Sequence, residues 1–186
     1  MELLKSKNII ISIVLAATFI YSCKPKTSNP TNSQEVITTV RLLFTDTLGH
    51  VQSAMWKDPD GAGGVSPTID TIKLASGMNY KCKVEMLDES KTPIQNISDE
   101  VAKEREAHQF FYTPSNTLSG KVTFTITDFD ANNLPVGLSF NTQVQSTSAI
   151  QGSLHVVLSH YEVDVPKTTA PSAESDVDID FQVLIQ

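Results

Sequence analysis

Apolar and polar side chains alternate along most of this chain, with a period of two rather than 3.6. "DVDIDFQVLI" (176–185) is the cleanest case, setting Val177, Ile179, Phe181, Val183 and Ile185 against Asp176, Asp178, Asp180 and Gln182. "MNYKCKVEML" (78–87) sets Met78, Tyr80, Cys82, Val84 and Met86 against Lys81, Lys83 and Glu85. "KVTFTITDF" (121–129), "VGLSFNTQV" (136–144) and "SLHVVLSHY" (153–161) repeat the pattern. "EVITTVRLLF" (35–44) is β-branched, "VQSAMWK" (51–57) pairs with it across a "DTLGH" turn, and "TIKL" (71–74) is short.

Strands with one apolar face and one face of Thr, Ser, Asp and Asn predict antiparallel sheets whose outer faces meet water. The expectation is an all-β fold: an immunoglobulin-like antiparallel sandwich of about eight or nine strands, with at most one short helix. The helical candidate is "SDEVAKEREA" (98–107), with Ser98 as cap and Asp99 and Glu100 at the positive end. "EREAHQFFY" (104–112) then enters a strand in which His108, Phe110 and Tyr112 share one parity and Phe111 takes the other. A long loop at 163–176 is expected to be mobile.

The N-terminal pattern is different. Lys5 and Lys7 precede an uncharged run from Ile9 to Tyr21. As a helix that run rises about 20 Å, too short for a ~30 Å hydrocarbon core, so a cleaved signal is expected rather than a span. It ends in "FIYSC" (19–23), which resembles a bacterial lipobox with Ile20, Ser22 and Cys23. That resemblance implies cleavage before Cys23, with diacylglycerol and a fatty acid on the cysteine, enough acyl chains for stable anchoring. "KPKTSNPTNSQE" (24–35) is polar, carries two prolines and reads as a tether. The expected organisation is a signal peptide at 1–22, a lipidated cysteine and flexible tether at 23–35, and one sandwich domain at 36–186.

Composition narrows the picture. Removing residues 1–22 takes away Glu2, Lys5 and Lys7, and 14 basic and 21 acidic residues become 12 and 20, a net charge of −8. Such a surface argues against nucleic acid as a partner and against an electrostatic hold on anionic lipid. The chain has two cysteines, so with Cys23 acylated Cys82 has no partner, and its parity turns it inward as a small hydrophobe.

Three stretches carry candidate chemistry. "DPDGAGG" (58–64) places Asp58 and Asp60 before a glycine, as calcium loops begin, but Ala62 stands at the third ligand position and Ile69 where the closing acid belongs. "DFDANN" (128–133) places Asp128 and Asp130 in the same alternate pattern, without the glycine. Turn chemistry is the expected role of both loops, and the alternative is a calcium site drawing on Asp58, Asp60, Asp128 and Asp130. Third, His108 and His160 both fall on the inward parity at a strand terminus, where a side chain reaches the rim of the core. Hydrogen-bonded packing is the commoner role there; the alternative is a divalent metal or small-ligand site with Glu104 or Glu106 joining. No HExxH, nucleophile elbow or Cys–His pairing supports catalysis, and the expectation is a protein that is not an enzyme.

Several of these stretches together, "EVITTVRLLF", "WKDPDGAGGVSPTID", "EAHQFFY", "DFDANNLPVGLSF", "LHVVLSH" and "DIDFQVLI", resemble a family of small Bacteroidota envelope lipoproteins that carry the label "type 1 periplasmic binding fold superfamily". That label implies strands alternating with helices, whereas the period-two pattern here implies a sandwich. In the family pattern an acid stands in place of Ala62, and histidines stand at the positions of His108 and His160. The resemblance implies an outer-membrane lipoprotein, at the periplasmic face or cell surface, serving a TonB-dependent transporter. The alternative is a purely structural envelope module that holds a protein complex and binds no small ligand.

Overall fold

The computed structural model describes residues 35–61, 63–162 and 165–186. The expected signal, Cys23 and the expected tether as far as Gln34 lie outside the described residues. Among the described residues, eleven strands make two sheets: β1 (Thr39–Asp46), β2 (Val51–Lys57), β3 (Thr68–Ile69), β4 (Ile72–Leu74), β5 (Asn79–Asp88), β6 (Gln95–Asn96), β7 (His108–Pro114), β8 (Val122–Ile126), β9 (Ser139–Val144), β10 (Ile150–His160) and β11 (Ser175–Ile185). The larger sheet has the order β3-β2-β1-β5-β9-β8, with β6 paired to β5; the smaller is β4-β11-β10-β7. All pairings are antiparallel except β4 with β11. This is the all-β sandwich that the alternation predicts. The two strands beyond the expected eight or nine are β3 and β6, each of two residues and too short to show a period.

The inward parities meet as anticipated. Val40, Leu42 and Phe44 of β1, Cys82 and Met86 of β5 and Phe140 of β9 face Phe110 of β7, Leu154, Val156 and Leu158 of β10, and Phe181 and Val183 of β11, all buried in one core. Full burial of each such aliphatic or aromatic side chain contributes roughly 1.5–3 kcal/mol. Cys82 is one of these residues: its Sγ lies 3.3 Å from Thr142 Oγ1, and burial pushes the thiol pKa up to about 12. Among the described residues, no helix is long and apolar enough to cross a membrane.

Local chemistry sets the connections. In the β1–β2 turn Asp46 Oδ1 accepts the Leu48 and His50 amides at 2.8 and 2.9 Å, and Gly49 takes a φ of +89°. The helix, α1 (Ile97–Lys103), is shorter than expected, and its cap is Asn96, whose Oδ1 accepts the Ser98 amide at 3.1 Å. Ser98 does something else: its Oγ accepts the Met86 amide at 2.7 Å and fastens the helix to β5.

The long loop after β10 is anchored rather than free over its described residues. Lys167 Nζ reaches Asp130 Oδ2 at 2.9 Å, each side chain only 1% exposed, and donates to the Arg105 and Pro135 carbonyls. Further on, the Ser172 amide donates to Ser159 Oγ at 3.0 Å and Ser172 Oγ donates to the His160 carbonyl at 2.9 Å. Polar contacts thus bring the loop back onto the end of β10.

Candidate functional site

His108 opens β7 and His160 closes β10, and the antiparallel register pairs them directly. Their rings sit 4.5 Å apart, centroid to centroid, nearly edge to face. A third residue completes the group. Leu158 pairs with Val177 but Ser159 pairs with Ser175, so β11 carries one extra residue at this point, and that residue is Asp176. Such a bulge interrupts the alternation and re-aims a side chain. Asp176, placed by parity on the outer face, turns in instead: its Oδ2 lies 3.3 Å from His160 Nδ1 and 3.6 Å from His108 Nε2, and the side chain is 5% exposed.

The tautomer of His108 follows from its other nitrogen. Nδ1 lies 2.9 Å from the Glu104 carbonyl oxygen at the end of α1, and a carbonyl only accepts, so Nδ1 carries a proton. In neutral His108 the lone pair is therefore on Nε2. That atom is fully buried, has no hydrogen-bond partner and points toward the Asp176 carboxylate. A lone pair facing an anion is repulsive; the geometry calls for a cation between them, either a proton or a metal ion. Burial works to lower the His108 pKa, but Asp176, the Glu104 carbonyl and Glu35 outweigh it and hold it above the ordinary imidazole value.

A second set of donors shares His108. The carboxylates of Glu35 and Glu104 come within 4.8 Å of each other and of a His108 ring nitrogen. Glu35 Oε2 is buried without a hydrogen-bond partner. Burial raises the Glu35 pKa to about 7; His108 offsets part of this, and Glu100, Asp176 and Glu104 add to it. The end of the sandwich around His108 therefore gathers three carboxyl groups, Glu35, Glu104 and Asp176, about two imidazoles.

The other candidates are placed elsewhere. Glu106 is exposed and belongs to neither donor group; Glu104 acts on His108 through its main-chain carbonyl and joins Glu35 through its carboxylate. Asp58 Oδ1 accepts the Gly61 amide and Asp60 Oδ2 the Val65 amide, which closes their loop as a turn. Asp128 accepts three amides, from Gly137, Leu138 and Ser139. Asp130 accepts the Asn132 and Leu134 amides and pairs with Lys167. Among the described residues, these four aspartates form no group of three metal donors. Sequence reasoning missed Asp176 and Glu35. The first is hidden by the bulge and the second lies at the end of a stretch with tether composition.

Fold and site together define an all-β sandwich with a buried imidazole–carboxylate cluster at one end. Compared with family models, with curated proteins and with solved structures, the chain matches none.

Proposed function

We propose that this is a cell-envelope lipoprotein, anchored in the outer membrane through acylated Cys23, that binds a small cationic ligand without catalysis and serves a TonB-dependent uptake system. The observation that carries the reading is the buried Nε2 of His108, which has no hydrogen-bond partner and faces the Asp176 carboxylate at 3.6 Å. Buried polar donors that converge on one point are what a binding site for a small cation requires. The lipobox-like "FIYSC" supports the anchor, and the resemblance to Bacteroidota envelope lipoproteins supports the transporter as partner.

The test is affinity capture of the tagged, full-length protein from native membranes. The expected result is a co-purifying TonB-dependent transporter. Recovery of only assembly or secretion components would replace this reading with that of a structural envelope module.

A further inference from the structure

The geometry points to a divalent first-row metal ion, zinc above all, as the ligand of this end of the sandwich, held by His108 Nε2, His160 and Asp176 with one coordination position left open. The inference rests on the binding reading above and names its ligand.

Distances carry the first part. Zinc takes imidazole nitrogen and carboxylate oxygen at about 2.0–2.2 Å in a tetrahedron, so neighbouring donors around it sit about 3.3–3.5 Å apart. Asp176 Oδ2 lies 3.3 Å from His160 Nδ1 and 3.6 Å from His108 Nε2. The second spacing is too long for a good hydrogen bond and close to the edge of that tetrahedron. The three residues come from three adjacent strands, β7, β10 and β11, so the ladder fixes the donors before any ion arrives.

Outer contacts carry the second part. An imidazole that ligates a metal commonly gives its other N–H to a backbone carbonyl, which fixes the ring and makes the ligating nitrogen a better donor. His108 Nδ1 does this with the Glu104 carbonyl. The bulge that turns Asp176 inward has the same effect on the carboxylate: without the extra residue in β11, the cluster would lack its anion.

Ligand chemistry sets the selectivity. Calcium and magnesium take sets of oxygen donors, whereas two imidazoles and a carboxylate suit zinc, copper or nickel. Three protein ligands leave a position for water or for a group on a receiving protein, as an ion that must be passed on requires.

Thermal unfolding of the full-length, detergent-solubilised protein with zinc chloride, and separately with calcium or magnesium chloride, tests the assignment. Zinc at about one hundred times its dissociation constant is expected to raise the midpoint by about 5–10 °C, with calcium and magnesium inactive. His160→Gln and Asp176→Asn should remove the shift. His155→Gln should keep it, although His155 forms an exposed cluster with Asp178 and Asp180 on the outer face. No zinc shift, a shift retained in His160→Gln and Asp176→Asn, or one lost only in His155→Gln would each overturn the proposal. Should either site variant fail to fold, cobalt(II) added to the wild type decides: the intense visible bands of a four-coordinate ion support the site, and the pale spectrum of the hydrated ion sinks it. Zinc binding without a co-purifying transporter would remove the partner and leave the metal; a transporter without a zinc response would do the reverse.

Discussion

Phe110 shows how one side chain joins the core to the site. It lies two residues after His108 on the same face of β7, is fully buried, and stacks on Tyr112 at 5.8 Å. Phe110→Ala should cost about 3–5 kcal/mol in a denaturant titration, a large fraction of a total near 5–15 kcal/mol; a loss under 1 kcal/mol would mean that the ring is not in the core. Gly137 supports the same ring. Its φ is +93°, and a Cβ there would come within 2.6 Å of Phe110 Cβ. Gly137→Ala is therefore expected to destabilise by more than about 1 kcal/mol. Cys82, with its pKa near 12, should resist thiol reagents at neutral pH until the domain unfolds. The parities of Phe110 and Cys82 were legible in the sequence because strict alternation carries that information. Asp176 was not, since a single inserted residue reverses parity without leaving any compositional trace.

Among the elements, the described part of the long loop, residues 165–176, departs most from expectation. Its composition gives no reason to expect order, yet Lys167 reaches a buried aspartate and Ser172 holds the end of β10. Removing Lys167 leaves the buried Asp130 carboxylate with its two amide donors but no countercharge, so Lys167→Ala should cost about 3 kcal/mol. It should also open the loop to limited proteolysis; an unchanged cleavage pattern would show that the serine contacts suffice. Burial pushes the Asp130 pKa up, but the Leu134 amide and Lys167 outweigh it and hold the pKa below the ordinary carboxylate value. A depressed folded-state pKa stabilises above the unfolded value and is lost as pH falls through the folded value. The stability difference between wild type and Asp130→Asn should accordingly shrink only in acid below the usual carboxylate range, as equilibrium unfolding against pH would show. The longer strands were legible because one apolar face opposes one wet face. β3 and β6 were not, since two residues make no period, and α1 was placed too far along the chain because Ser98 serves β5 rather than the cap.

For the whole molecule, the sandwich brings residues from separated parts of the chain to one end, and no local motif records that meeting. His108, His160 and Asp176 are far apart in sequence and become neighbours only through the pairing of β10 with β7 and with β11. The two histidines could be picked out by parity at strand ends; the aspartate required the register. The architecture itself predicts strand-dominated circular dichroism for residues 36–186 and unfolding indifferent to reductant, since Cys82 is the one cysteine in that span. A helix content above about a third would contradict it. X-ray absorption at the zinc edge of the zinc-loaded, full-length protein tests the central claim most directly. The account predicts a four-coordinate shell at about 2.0–2.1 Å with scattering from two imidazoles and the remainder oxygen. A six-oxygen hydrated shell, or a shell with one imidazole, would contradict it.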